Sequence, residues 1–171
     1  MHTQYTTADI FDEEVVQHNQ VIATTLAFSQ KNTANNNTTS SLFHTNGLQS
    51  DGFDLAAIRV KKSGKMNFTY RVKIDEIVPS TLCKNLVLQV MYKKEFIYEG
   101  ALINFVKDET MTQEKPQDWI YFLSLPSNAA MLKQQSCDFN IHFKTWRGNP
   151  ESKKGFYDEN VISNTITTGN W

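Results

Sequence analysis

The sequence predicts an all-β protein, folded as a sandwich of two antiparallel sheets with at most one or two short helices. The first observation is a strict alternation of apolar and polar residues in two segments, MNFTYRVKI at 66–74 and CDFNIHFKT at 137–145. Successive side chains of a strand point to opposite faces, so this alternation indicates strands with one buried and one solvated face. The second observation is that further strand-length segments follow one another between turn residues, which is typical of a sandwich.

The remaining segments predict the other elements. Residues 86–92, LVLQVMY, turn through KKE into residues 96–105, FIYEGALINF, which predicts a hairpin or meander. Residues 118–125, DWIYFLSL, are apolar on both faces and are expected mid-sheet or between the layers. Residues 55–70 predict two strands joined by a tight turn at Ser63 and Gly64. One short helix is predicted over residues 127–135, with Ser127 as its N-cap.

The domain organisation is simple. A chain of 171 residues is long enough for one domain with a substantial core. We expect residues 1–11 to form an N-terminal segment and residues 12–171 to form a single β-sandwich domain. Residues 29–47 are rich in Asn, Thr and Ser, and this composition predicts an exposed loop.

The chain opens and closes with similar phrases, FDEEVVQHNQVIATTL at 11–26 and YDENVISNTITTGNW at 157–171. Each phrase is an acidic turn followed by a segment rich in Thr, Ile and Val. With one gap, the matched pairs are Asp12 with Asp158, Glu13 with Glu159, Val15 with Val161, Val16 with Ile162, Asn19 with Asn164, and Val21 with Ile166. The repeat predicts two strands, one from each end of the chain, in corresponding places at the sheet edges.

Charge and hydropathy exclude two classes of partner. The chain carries 17 Lys and Arg residues against 18 Asp and Glu residues, and no run of like charge stands out. Binding to nucleic acid requires a concentrated basic face, so we expect no nucleic acid partner. No apolar stretch approaches the roughly 20 residues that span a bilayer, so we expect no membrane span. The first residues have neither the basic start nor the apolar core of a signal peptide.

The candidate reactive groups do not form a catalytic pattern. The four histidines are scattered, and no zinc-binding pair, nucleophile elbow or phosphate-binding glycine loop occurs. The carboxylates cluster at Asp12–Glu14 and at Asp158–Glu159. If the two ends of the chain meet, these carboxylates could bind calcium, which favours oxygen ligands. Solvent-facing turn residues are the favoured interpretation, and we expect no enzyme activity, cofactor or metal.

Two cysteines, Cys83 and Cys137, leave two alternatives open. Two buried, reduced thiols are common in cytosolic proteins. One disulfide between them would close a loop of more than fifty residues, worth about 3–4 kcal/mol in the chain-entropy model. Neither alternative is favoured by the cysteines alone.

Motifs in the first half of the chain resemble those of the TasA/camelysin family. The opening ADIFDEEVVQHNQVIATTLAF is similar to the mature start of these proteins, an aromatic and acidic phrase followed by N-x-[FI]-x-[AS]-G-T-L. The similarity continues in LFHTNGLQSDGFDLAAIRVKKSGKMNFTYRVKI, where the family has a G-L-x-P-G-D turn between strands. It covers about residues 8–75. This chain departs from the family pattern at Thr24, where the family has glycine, and in lacking the proline of the turn.

The resemblance implies a secreted, jelly-roll-like subunit of a biofilm-matrix or cell-surface fibre, exported with a leader that this chain lacks. In such fibres an N-terminal donor strand adds to the next subunit, and self-association yields a homopolymer. The cysteine pair, Cys83 and Cys137, resembles a disulfide of exported relatives. The donor-strand residues implied here are Tyr5, Ala8, Ile10 and Phe11. Without the resemblance, a frayed terminus is an equally good interpretation of this segment.

Two further functions compete with the fibre subunit. The first is a monomeric, secreted surface-binding module that grips a glycan or an adhesin through exposed aromatic residues such as Tyr98, Trp146 or Trp171. The second is a hydrolase whose residues converge only in three dimensions. The family's reported protease activity is not expected here, because the chain has no zinc motif.

Overall fold

A computed structural model describes residues 21–26, 41–43, 45–62, 67–112, 115–127, 130–146 and 157–170. Its helical elements are a five-residue helix, α1 (Thr81–Asn85), and two 3-10 turns at Leu102–Asn104 and Ala130–Leu132. Its strands are β1 (Val21–Leu26), β2 (Phe53–Lys62), β3 (Phe68–Glu76), β4 (Val87–Tyr92), β5 (Glu95–Ala101), β6 (Val106–Met111), β7 (Gln117–Ser124), β8 (Ser136–Trp146) and β9 (Tyr157–Thr167).

The strands form two antiparallel sheets, and the predicted all-β sandwich with few short helices is confirmed. One sheet has five strands in the order β1-β2-β7-β4-β5, and the other has four in the order β6-β3-β8-β9. The pairs β4–β5, β3–β6 and β2–β7 are nested inside one another and alternate between the sheets. This arrangement is a long antiparallel ribbon wound over itself, which is the jelly-roll principle.

The two ends of the chain depart from full nesting. If the nesting of strand pairs continued outward, β1 would pair with β8. Instead, β1 pairs with β2 and β9 pairs with β8. The C-terminal strand therefore holds the position that the first strand would take. Strands β1 and β9 lie beside each other, each at the edge of its own sheet. The described parts of the two repeated phrases, residues 21–26 and 157–170, thus include edge strands, as predicted, while residues 11–20 lie outside the described residues.

The core lies between the inner faces of the two sheets. The alternating residues of β3 and β8 point inward as predicted, and Tyr70, Val72, Ile141 and Cys137 are fully buried. Strand β7 is the central strand of the five-stranded sheet, which confirms the mid-sheet position predicted for its doubly apolar sequence. Its inner residues join a cluster of packed aromatic rings around Trp119.

The prediction of a tight hairpin across Ser63 and Gly64 is wrong in its pairing. Strands β2 and β3 belong to opposite sheets and do not pair, so the connection crosses the sandwich. Each strand has a better partner elsewhere, β7 for β2 and β8 for β3, and both pairings are distant in sequence. Residues 63–66 themselves lie outside the described residues.

The helical turn predicted within residues 127–135 is present as the 3-10 turn at Ala130–Leu132, whereas the α-helix of the structure was not predicted. The α-helix is α1, where Ser80 is the N-cap and its side chain accepts a hydrogen bond of 3.0 Å from the backbone N–H of Cys83. A helix of five residues is too short to show a period of 3.6, so its sequence carried no helical pattern. No helix in the described part of the chain has the length and apolar character needed to cross a membrane.

The Asn- and Thr-rich segment does not consist only of exposed loop. Leu42 and Phe43, near its end, are buried in the core. The side-chain oxygen of Asn164 on β9 accepts hydrogen bonds from both of their backbone N–H groups, at 2.7 and 3.1 Å. Two apolar residues with satisfied backbone donors can be buried whatever the composition of their neighbours. Residues 27–40 lie outside the described residues.

Candidate assembly site

The sandwich has two unlike sides. On one side β1 and β9 lie next to each other, so the two chain ends form the edge. On the opposite side lie β5 and β6, connected by the 3-10 turn, and each has a hydrogen-bonded strand neighbour on one flank only among the described residues. We call the outer flanks of β5 and β6 the free side. An edge strand presents unpaired N–H and C=O groups that can pair with another chain.

The free side carries large apolar side chains in contact with solvent. Phe96 on β5 is 62% exposed and Val106 on β6 is 53% exposed. The ring of Phe96 lies 5.8 Å from the ring of Phe122, on the outer face of the five-stranded sheet. Edge strands of natural proteins are usually protected by charges, proline or bulges. Here the pairing of β4 with β5 shifts register between Val90 and Met91, next to the pair of Met91 with the exposed Phe96.

Part of the outer face of the five-stranded sheet is apolar, and we call this part the apolar outer face. Ala57, Met91, Phe96 and Ile120 form one row across four strands. The neighbouring rows mix apolar and polar residues: Leu55 and Phe122 with Gln89, and Phe53 and Val87 with Ser124. Phe53 is 72% exposed. A contiguous apolar surface of this kind marks an interaction site more often than chance exposure does.

The outer face of the four-stranded sheet is polar, and its side chains satisfy one another. Arg71 donates two hydrogen bonds to Asp108, at 2.6 and 2.8 Å. Ser163 donates to Asn140, and Thr165 donates to Asp138. A surface whose polar groups are already paired gains little by binding a ligand. The exposed apolar side chains therefore place the candidate site on the apolar outer face of the five-stranded sheet and on the free side.

Two bidentate ion pairs set the electrostatics of the sheet surfaces. Arg59 lies against Asp118 with its closest N–O distance at 2.6 Å, and Arg71 lies against Asp108 in the same way. Hydrogen bonds from the two guanidinium groups hold the pKa of both carboxyl groups below the usual range. Both pairs are partly exposed, so solvent screens them and their contribution to stability is small.

Cys83 and Cys137 form a disulfide with an S–S distance of 2.04 Å. It joins α1 to the inner face of β8, and both sulfur-bearing residues are fully buried. The pairing resolves the alternatives that the cysteines alone left open. The disulfide is remote from solvent, so its role is to hold α1 on the sandwich.

The implied donor-strand residues, Tyr5, Ala8, Ile10 and Phe11, lie outside the described residues. So does the acidic cluster Asp12–Glu14.

The second acidic cluster is partly described. In Asp158–Glu159, the carboxylate of Glu159 lies 2.8 Å from Nδ1 of His142. Nε2 of His142 lies 3.8 Å from Asp75. Within the described ranges, no three His, Cys, Asp or Glu side chains come together as a metal site.

Two of the three aromatic residues predicted to grip a glycan, Trp146 and Tyr98, are largely covered in the structure. Trp146 is only 6% exposed and lies beneath the guanidinium of Arg71. Tyr98 is half-buried and donates a 2.7 Å hydrogen bond to the carbonyl of Ala101. Trp171 lies outside the described residues. Among the described residues, the exposed large aromatic side chains are instead Phe53 and Phe96.

Comparisons with known proteins do not assign a family. No protein-family model matches the chain, and no curated protein matches it. Among solved structures, the chain is similar to AvmM, which catalyses macrocyclization in alchivemycin A biosynthesis, with 6% identity, a TM-score of 0.41, and coverage of 72% of this chain and 84% of that one. It is also similar to CfaE, the adhesive subunit of CFA/I fimbria of enterotoxigenic Escherichia coli, with 5% identity, a TM-score of 0.41, and coverage of 77% and 50%.

A third similar structure is PapD-like domain 7 of human CEP192, with 5% identity, a TM-score of 0.32, and coverage of 85% of this chain and 96% of that one. Identities this low, with TM-scores below 0.5, carry no argument about activity, ligands or partners. The function has to be argued from the residues of this chain.

Proposed function

We propose that this protein is a structural subunit of an extracellular fibre, similar to the TasA/camelysin proteins, and that it polymerises head-to-tail by adding its N-terminal segment to the next copy. The observation that carries the proposal is the free side. It consists of one edge strand from each sheet, β5 and β6, and Phe96 and Val106 on these strands are exposed. An added strand would pair its backbone with an edge and cover these side chains.

The N-terminal segment has the residues that such a strand needs. In an added strand, the alternation of side chains would put Tyr5 on one face and Ala8 and Ile10 on the other. Phe11 follows and extends the apolar content. Backbone hydrogen bonds would supply affinity, while the apolar side chains entering the acceptor would fix the register. A head-to-tail contact that does not close on itself generates a filament.

The disulfide supports an extracellular location for this fibre. Disulfides form and persist in oxidising compartments and are rare in the cytosol. The Cys83–Cys137 bond is buried in the core, where it is protected from reductants. We therefore propose that the protein is secreted and works at the cell surface or in a matrix.

The proposal is tested by electron microscopy of the purified protein over a range of concentrations. We expect filaments with a regular axial repeat from the full chain, and only soluble monomers after deletion of residues 2–10. The variant Ile10→Asp/Phe11→Asp should also stay monomeric, because charges cannot enter an apolar acceptor. The matched control, Thr6→Asp/Thr7→Asp, changes two polar positions of the same segment and should still assemble. Identical filaments from the deleted chain would refute strand addition.

A monomeric surface-binding module is the second candidate, and the exposure of Phe53 on the apolar outer face favours it. Under this alternative the full chain remains a single particle at all concentrations, and Phe53→Ser weakens binding to a bacterial surface. Filaments that depend on residues 2–10 would exclude it.

A further inference from the structure

The turn between β4 and β5 has an unusual sequence for its conformation. Tyr92 pairs with Glu95, so only Lys93 and Lys94 form the loop. Both have positive φ, at 51° and 70°. A two-residue hairpin loop with two positive φ angles favours Asn-Gly, because other side chains are strained there. Strain of this kind persists where the residues serve a purpose other than folding.

The two lysines border a cleft at this end of the five-stranded sheet. The cleft has a volume of about 700 Å³, and its remaining cation is Lys115, in the loop that leads into β7. Met91 and Ile120, from the apolar outer face, also line it. The cleft is therefore lined by three lysines together with apolar side chains.

The charges of the cleft are not balanced by the carboxylates near it. Asp118 also lines the cleft, but Arg59 holds both of its oxygens. Glu109 lies 3.8 Å from Lys93 and is shared with Lys107. Lys94 and Lys115 form no ion pair with any residue that the structure describes. The cleft is consequently a positive site that an anionic group can occupy.

The chain contains a segment of matching charge. Residues 1–20 include four acidic residues and no Lys or Arg. Three of the four are consecutive, Asp12, Glu13 and Glu14, and Val15 and Val16 follow them. An acidic run next to two apolar residues complements three lysines next to an apolar surface.

The position of β1 brings this segment within reach. Val21, the first residue of β1, pairs with Lys62 at the end of the sheet where β4 also ends. From β1 to β4 there are three strand spacings of about 4.8 Å, or roughly 14 Å. The seven residues from Glu14 to Val21 span up to about 23 Å when extended. A tether this short gives the acidic run a millimolar effective concentration at the cleft of its own chain.

We propose that Lys93, Lys94 and Lys115 bind the acidic run Asp12–Glu14 of the same chain. Bound in this way, the acidic run anchors the base of the N-terminal segment near the start of β5. We call this contact between the three lysines and the acidic run the anchor. It goes beyond the proposed fibre function, and its test does not require fibres to form.

The test is limited proteolysis with a glutamyl endopeptidase, which cleaves after Glu13 and Glu14, at protein concentrations where only monomers exist. Fragments are identified by mass spectrometry. In the wild-type chain we expect slow cleavage at these two sites, accelerated in about 1 M NaCl, where the Debye length falls to about 3 Å. The variant Lys93→Asn/Lys94→Gly should be cleaved about tenfold faster there, because it loses two of three ion pairs. The control Lys73→Gln/Lys84→Gln removes two distant lysines and should match the wild type.

A second readout separates binding from folding. Because Asn-Gly relieves the strained turn, the melting temperature of Lys93→Asn/Lys94→Gly should be higher than that of the wild type. Faster cleavage in a more stable protein supports the anchor. Equal cleavage rates in the variant and the wild type would overturn the anchor. Protection from cleavage that disappears on dilution would also overturn it, because a second copy of the chain would then supply the acidic run. Both results leave filament formation through residues 2–10 unaffected.

Discussion

Two buried tyrosines show how a single hydroxyl can have opposite effects on stability. Tyr70 accepts a 2.9 Å hydrogen bond from Nε1 of Trp119 and donates one of 2.6 Å to Gln117. Tyr121 is fully buried, and its hydroxyl has no partner among the described residues. Burial raises the pKa of both phenols above the ordinary value, so both stay neutral at physiological pH. The difference between them is therefore one of hydrogen bonding.

Tyr121→Phe should raise the free energy of unfolding by about 1 kcal/mol, because it removes a buried, unpaired polar group. Tyr70→Phe should lower it by about 1–3 kcal/mol, since Trp119 then loses the acceptor of its buried N–H. Urea unfolding followed by tryptophan fluorescence measures both. The assignment of partners is wrong if the two substitutions shift stability in the same direction.

At the scale of elements, β9 is held to the sandwich by more than its pairing with β8. The side-chain oxygen of Asn164 accepts three hydrogen bonds, from the backbone N–H groups of Leu42 and Phe43 and from the hydroxyl of Ser41. Its amide nitrogen donates to the carbonyl of Ile162. A single buried side chain therefore connects the C-terminal strand to a segment more than 120 residues earlier.

Asn164→Ala should lower the free energy of unfolding by about 2–4 kcal/mol, because it leaves two buried backbone donors without an acceptor. The control is Ser163→Ala on the same strand. Its exposed hydroxyl bonds only to Asn140, so we expect a loss below about 0.5 kcal/mol. Thermal or chemical unfolding of the purified variants compares them, and equal losses would contradict the role of Asn164.

The disulfide acts at the scale of the whole molecule, because it restricts the unfolded chain as much as it holds the folded one. Cys83 and Cys137 are separated by 54 positions, and the loop between them contains β4 to β7. Cross-linking a loop of this length removes conformational entropy from the unfolded state.

Replacing both cysteines by alanine should therefore lower the free energy of unfolding by about 4 kcal/mol, measured by urea unfolding. The wild type unfolded in the presence of a thiol reductant serves as the comparison and should lose a similar amount. If the double variant is as stable as the oxidised wild type, the constraint on the unfolded chain is not what stabilises the fold.

The sequence was most informative where a local pattern decides the outcome. Alternation identified β3 and β8 and the face that each one buries, because a strand exposes its periodicity residue by residue. The sequence was least informative about which strands pair with each other and which side chains pack against each other. The hairpin predicted across Ser63 and Gly64 is a crossing between sheets, and Trp146, predicted to be exposed, is covered by Arg71. Which strands pair, and which side chains another residue covers, depends on residues that are distant in sequence. A short stretch of sequence therefore does not reveal either.

Some features of the candidate site can also be recognised in the sequence, and others only in the structure. The acidic N-terminal segment and the repeated terminal phrases are visible in the sequence alone. The free side, the exposure of Phe96 and the cleft beside Lys93, Lys94 and Lys115 are not, since they arise from strand order, strand register and a strained turn. By itself the sequence determined an all-β sandwich with strands at both chain ends. Only the tertiary structure decided which edges stay open, because an edge is defined by the absence of a neighbour.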